Sequence, residues 1–358
     1  MKIDARLDPG SLDDIRDAAR HAESAGYGGL WTSETAHDPF LPLVVAAEHT
    51  SHIELGCAVA VAFARNPMTV ANAAHDLQRF SGGRFTLGLG TQVRSHVERR
   101  FSMPWSSPAA RLEEFIHAVR AILGSWEEGT PLSFEGAFYR HTLMTAMFRP
   151  EPHGLGMPRI IIGGVGPAMV RTAGRAADGL LVHAFSTPSY LESVVLPAVT
   201  EGLDARGTLR TAFDVSCRVF LATGRTEDDI RAATEAVRRR IAFYGSTPAY
   251  QPVLEHHGWG ELGSELNRLS RTDDPDRWAT MAQLVDDQVL GTFAVIAPPA
   301  MAGAALVERY SGIADRLWYY TPYHPDSGLL DEVTAAVRDS SPARAERGSM
   351  PAGPVRES

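Results

Sequence analysis

Arg159-Ile160-Ile161-Ile162-Gly163-Gly164-Val165-Gly166-Pro167 carries an unbroken apolar run into a glycine-rich turn, and Gly179-Leu180-Leu181-Val182-His183 repeats the apolar run one helix-length later. A run that is apolar at every position, rather than at every second one, suits a strand covered on both faces, as in a parallel sheet. The segment 167–177 between them predicts a helix, with its proline in the first turn, where a missing N–H is tolerated. Strand, helix and strand in this order form a βαβ unit, whose crossover places the two strands parallel.

The same alternation recurs on either side. Toward the N-terminus the chain predicts strands over 2–7, 29–32, 53–62 and 85–89. A first helix carries Leu12, Ile15, Ala19 and Ala22 on one face, capped by Ser11 and ended by Gly26. Asn66-Pro67 opens a helix bearing Val70, Ala73, Leu77 and Phe80, and Ser107-Pro108 opens another with Leu112, Phe115, Ile116, Val119 and Leu123 at buried-stripe spacing. Toward the C-terminus, a strand over 214–222 precedes a helix whose Thr226 and Asp229 form a capping box. Apolar residues 293–296, a helix after Pro299, a strand over 316–320 taken as the eighth, and a helix over 329–337 follow. The expectation is an α/β chain: a (β/α)8 barrel as one domain over 1–339, with insertions at about 92–107, 131–150 and 244–274. Within these, 132–139 alternates around a glycine turn like an added hairpin, and 244–274 lacks periodicity and is expected to form a lid. Residues 340–358, poor in large apolar side chains, are expected to be an unordered tail.

Composition narrows the function. The 358 residues are 44% hydrophobic and 22% charged, ordinary for a folded chain, and the formal charge is -9. No basic block provides a footprint for nucleic acid or an anionic membrane, so the expected partner is a small-molecule substrate. Cys57 and Cys217 are too few for a disulfide framework or a thiolate zinc site and read as buried free thiols. The N-terminal residues lack the apolar core of a signal peptide and no run is long enough to span a bilayer, so the expected location is cytoplasmic.

In a barrel of this kind the site is built from the loops after the strands. Ser33-Glu34-Thr35-Ala36-His37-Asp38-Pro39 crowds ionisable groups after strand two; these serve a cofactor hydroxyl or a proton in transit, or else turn formation and capping. Gly88-Leu89-Gly90-Thr91-Gln92 offers bare backbone to a planar ring, with His96 a turn later as a hydrogen-bonding candidate. It lacks the third glycine of a dinucleotide fingerprint. Gly163, Gly164, Val165 and Gly166 present main-chain N–H groups at a helix N-terminus, an anion site suited to phosphate, although a tight turn is the plain alternative. The small residues at the end of strand three, Ala58, Val59 and Ala60 among them, read by periodicity alone as barrel filling.

Taken together, Leu30-Trp31-Thr32-Ser33-Glu34, Ala62-Phe63-Ala64-Arg65-Asn66-Pro67, Ser81-Gly82-Gly83-Arg84-Phe85-Thr86-Leu87-Gly88-Leu89-Gly90-Thr91-Gln92 and Ala173-Gly174-Arg175-Ala176-Ala177-Asp178-Gly179 resemble the bacterial luciferase-like monooxygenase superfamily, in its branch that uses the deazaflavin coenzyme F420. The likeness covers 1–183 and returns at 314–320. It implies a TIM barrel whose mouth holds a deazaflavin ring, or alternatively the isoalloxazine of FMN. It also implies a non-proline cis peptide at Ala58-Val59 behind that ring and the cofactor phosphate at Gly163 to Gly166. Glu34, His37 and His96 are the implied candidates for proton transfer, and Glu34, Ala58, Val59, Ala60, Gly90, Thr91, Gln92, Gly163, Gly164, Val165 and Gly166 for cofactor binding. Two departures bear on the substrate. Thr35 and Ala36 follow Glu34 where many relatives carry histidine, and Val93 stands where sugar-phosphate dehydrogenases of the branch carry glutamate.

The implied reaction is a hydride transfer between the deazaflavin and a small organic substrate; with FMN it becomes monooxygenation. A non-catalytic flavin-binding protein is the alternative of another class. A metal-dependent hydrolase finds little support among the 13 histidines, because none pair at ligand spacing on a strand end, and no metal site is expected. By analogy with barrel relatives, a homodimer is the suggested assembly.

Overall fold

The computed structural model describes residues 1–7, 11–325 and 328–341. Eight parallel strands run β1 (Lys2–Leu7), β2 (Gly29–Thr32), β3 (Glu54–Cys57), β4 (Phe85–Gly90), β5 (Arg159–Gly164), β6 (Gly179–Val182), β7 (Asp214–Ala222) and β8 (Arg316–Tyr320). Each pairs with the next, and β8 pairs with β1 in the register Lys2↔Arg316 to Asp4↔Trp318, so the sheet closes. The result is a (β/α)8 barrel. Closure leaves no edge in the ring, which is how such a sheet avoids templating further strands.

The helices on its outer face follow their sequence signals. In α1 (Ile15–Ser24), Ile15, Ala19 and Ala22 are buried, while Leu12 belongs to a preceding 3-10 turn and is exposed. The stripe is therefore one residue shorter than its spacing suggests. Asn66 caps α2 (Pro67–Phe80) through the Thr69 N–H at 3.0 Å, and α3 (Pro108–Glu128) buries its full apolar stripe. Helix α4 (Pro167–Ala176) joins β5 to β6. Thr226 and Asp229 exchange both capping-box bonds at the start of α5 (Glu227–Gly245).

Four expectations need revision. The third strand is not continuous over 53–62: it stops at Cys57, resumes at Ala60–Val61 beside Leu89 and Gly90, and turns into a 3-10 segment. The hairpin pairs Phe134–Glu135 with Arg140–His141, so its turn comprises Gly136 to Tyr139, gathered by the Glu114 carboxylate. Residues 244–274 are largely helical, with helices Gln251–His256 and Gly260–Ser270 about the positive-φ Gly258; the prolines and glycines between them interrupt the apolar spacing, although Leu262, Leu266 and Leu269 share one face. The last helix, Leu329–Ser340, runs past 337, and the rest of the expected tail beyond Ser341 lies outside the described residues.

The barrel interior is layered. Trp31, Ile161, Leu181 and Trp318 pack together inside it, with Ala58 and Val59 against them. Toward the N-terminal ends of the strands, the Arg316 guanidinium makes paired 2.7 Å bonds to Asp4 and a 2.5 Å bond to Glu54. The floor is thus charged and the middle apolar. No described helix is long and apolar enough to cross a membrane.

Candidate active site at the barrel mouth

The peptide between Ala58 and Val59 is cis. This breaks β3 and sends the chain toward β4, where glycines make room. A side chain at Gly88 would overlap the Cys57 carbonyl, and a Cβ at Gly90 would stand 2.5 Å from Val59 Cγ2. The glycine pair is therefore explained first by the bulge itself, not by a ring lying directly on Gly90. Cys57 joins this junction by donating to the Gly88 carbonyl at 3.2 Å, and burial pushes its thiol up to about 12. Like Cys217 it is a buried free thiol, as the sequence indicates.

Glu34 holds the far side of the bulge. One carboxylate oxygen accepts the Val61 N–H and the Arg65 Nη1 donor, each at 2.6 Å, with the side chains only 7% and 18% exposed. Arg65 also pairs with Asp38 at 3.1 Å, while the other Asp38 oxygen accepts the Phe40 and Leu41 N–H groups. Asp38 thus performs the turn-forming work. His37 and His96 are both exposed, the latter on the short helix Arg94–Arg99. Arg100 donates to the Thr35 carbonyl and so ties the loops carrying these two histidines together. Gln92 sits at φ 59° with its side chain on the Val93 N–H, and Thr91 bonds the Gln92 carbonyl.

Val59 also links the bulge to the glycine turn after β5, since a Cβ at Gly163 would lie 3.3 Å from Val59 Cγ1. Gly166 adopts φ 81°, a conformation that disfavours any side chain, and precedes α4 without a side-chain cap. Gly164, Val165 and Gly166 line one pocket with Ser186, whose buried hydroxyl finds no hydrogen-bond partner. Uncapped helix N-terminus, bare glycine backbone and orphaned hydroxyl together fit a phosphate-sized anion.

Opposite the bulge stands a group that sequence reasoning did not single out. His183, at the end of β6, stacks on Tyr250 at 4.6 Å and meets Tyr244 edge-on at 4.6 Å. The Arg218 guanidinium lies 4.9 Å from the Trp318 ring centre and 4.3 Å from that of Tyr320, and the Tyr244 and Tyr320 hydroxyls are 2.9 Å apart. Burial first, and the Arg218 charge second, push the His183 imidazole down to about 3. Its Nδ1 accepts the Phe185 N–H at 3.1 Å, which leaves the neutral ring with its proton on Nε2. Burial also pushes the Tyr250 phenol up to about 12, so it keeps its proton. The helical segment bearing Tyr250 is pinned to the loop after β6 by His257 on Thr187 and His256 on Ser189, both at 2.8 Å. The only sequence hint was position: His183 ends a strand, and Tyr250 sits in the insertion.

Comparison with known proteins agrees with this geometry. Residues 1–316 match the model of the luciferase-like monooxygenase family. An uncharacterised protein of Mycobacterium tuberculosis is 51% identical over 317 residues, covering 88% of this chain and 92% of its own. An F420-dependent glucose-6-phosphate dehydrogenase of Kineococcus radiotolerans is 28% identical over 343 residues, covering 92% of each. The coenzyme F420-dependent tetrahydromethanopterin reductase of Methanopyrus kandleri shares the fold at TM-score 0.75 and 21% identity, over 94% of this chain and 97% of its own. With barrel, bulge and family match in accord, the chain is an enzyme belonging to the luciferase-like monooxygenase family.

Proposed function

We propose that this enzyme transfers a hydride between coenzyme F420 and a small organic substrate at the barrel mouth. The observation that carries the reading is the anion cradle of Gly163 to Gly166 and Ser186 beside the Val59 wall, since it suits a flat ring on a phosphate-bearing tail. F420 is favoured over FMN because a relative aligned over 92% of this chain is F420-dependent. When bound, the deazaflavin supplies the hydride-carrying ring carbon.

The chain's own residues do the remainder. Ala58 and Val59 form the wall behind the ring, and Glu34 with Arg65 holds that wall by fixing the Val61 amide. Neutral His183 donates from Nε2 to a substrate oxygen, Arg218 supplies positive charge, and the tyrosines exclude water. His37 or His96 exchanges the proton with solvent, both being exposed. Val93, in place of a glutamate, removes the sugar-phosphate dehydrogenase acid, so the substrate differs from theirs.

Equilibrating the cofactor-free enzyme with F420 and with FMN tests the assignment. The expected result is stoichiometric F420 binding that weakens roughly tenfold or more when Gly166 is replaced by valine. Tight FMN binding with none for F420 would overturn it.

A further inference from the structure

Three residues far apart in sequence meet at the opposite end of the barrel from the mouth. His75 lies late in α2, Glu127 is one residue from the end of α3, and His153 belongs to the segment that leads into β5. Both helices run away from the mouth, so their C-terminal ends and the approach to β5 share the N-terminal end of the barrel. One donor atom from each residue falls within 4.8 Å of the other two. His153 Nδ1 is 3.4 Å and His75 Nδ1 3.9 Å from the same Glu127 oxygen, and the imidazole rings are 4.5 Å apart.

His75 is the member that ordinary packing leaves unexplained. It is 2% exposed, and neither ring nitrogen has a hydrogen-bond partner. An imidazole so placed forfeits the hydration of two polar atoms without recovering it through a well-formed hydrogen bond. A cation on one nitrogen recovers part of it. Two imidazoles and a carboxylate suit a borderline divalent ion, with a fourth position left to water. Bonds of about 2.0–2.2 Å at tetrahedral angles place donors about 3.4 Å apart, so of the three pairs His153 with Glu127 already stands at the required spacing, while His75 must move closer to Glu127 and all three donors must draw in from within 4.8 Å.

We propose that His75, Glu127 and His153 form a structural site for Zn2+ or a similar transition ion, clamping residues 129–158 to α2 and α3. That segment carries the two-stranded hairpin and is otherwise tied here by Glu127, which accepts the His153 and Gly154 N–H groups. Loading exchanges the bond that His153 Nδ1 accepts from the Leu155 N–H for coordination. The site lies apart from the mouth and is independent of the reaction assigned there.

Untagged enzyme stripped with a chelator and dialysed tests the proposal by titration with Zn2+ and, separately, Co2+. One saturable equivalent of Zn2+ is expected, with a rise in melting temperature by mass action, and Co2+ should give the visible bands of low-symmetry imidazole coordination. His75→Phe, which fills the ring's space, and Glu127→Gln, which keeps one acceptor oxygen for the loop amides but removes the charge, should each weaken binding roughly tenfold or more. Absence of saturable binding by the wild-type chain overturns the proposal whether or not the variants fold. Equal affinity in folded variants overturns it too, by placing the ion elsewhere.

Discussion

His183 shows how burial chooses a chemical role for a single residue. The ordinary value for its imidazole, which the unfolded chain keeps, is 6.5, and burial with the nearby Arg218 charge pushes it down to about 3 in the folded enzyme. Between those values the unfolded state binds the extra proton, so stability rises with pH across that window. The contribution is complete above about 6.5 and is lost as pH falls toward 3. At about 1.4 kcal/mol per pH unit as an upper limit, the loss between pH 6.5 and 5 is at most about 2 kcal/mol, less some relief from the open side of the mouth. Urea unfolding near pH 7 and near pH 5 should therefore show a smaller pH loss in His183→Gln than in the wild type. Parallel losses would mean that the imidazole is not kept neutral. Glu34 shows the opposite case, a carboxylate that looks catalytic in the sequence but whose one oxygen is already shared between the Val61 amide and Arg65.

At the level of elements, the bulge after β3 is one packing unit built from three strands. Val59 is held between Gly90 of β4 and Gly163 of β5, so changing any member forces the others to move. Gly90→Ala should destabilise the enzyme by about 1–3 kcal/mol through overpacking against Val59. Val59→Ala in the same chain should return much of that loss, with a coupling above about 0.5 kcal/mol in a double-mutant cycle of denaturant unfolding. Simple additivity would show that the two side chains do not share the space. The regular elements were legible because each carries its own local signal: Asn66 before Pro67, Thr226 with Asp229, and the stripe from Leu112 to Leu123. The break in β3 was not legible from periodicity, since a cis peptide leaves the apolar run 55–62 unchanged; only the family resemblance located it. The helices of 244–274 escaped for a different reason: Leu262, Leu266 and Leu269 do repeat along one face, but Pro248, Pro252, Gly258 and Gly260 around them read as breaks.

Across the whole molecule, what the sequence hides is convergence. Gly163 to Gly166 announced themselves as neighbours in the chain, whereas His183, Arg218, Tyr244, Tyr250 and Tyr320 come from the end of β6, β7, α5, the helical insertion and β8, and meet only once the barrel closes. His75 and His153 meet in the same way. Closure in turn depends on the floor, where Arg316 of β8 binds Asp4 of β1 through two 2.7 Å bonds and Glu54 of β3 through a third. Asp4 is 2% exposed, so removing its partner leaves a carboxylate with neither water nor counter-charge. Arg316→Met should cost about 3–5 kcal/mol, most of it the burden of that stranded charge rather than the net worth of the pair. The origin of the cost fixes two further outcomes. Asp4→Leu combined with Arg316→Met should be more stable than Arg316→Met alone, because Glu54 retains Lys2 while the stranded group is gone. The deficit of the single variant should also narrow as pH falls, since Asp4 can then take a proton and shed its charge. Urea unfolding of the three chains at two pH values measures all of this. A double variant less stable than the single one would show that the floor closes the barrel by attraction between its charges and not by avoiding an unpaired one.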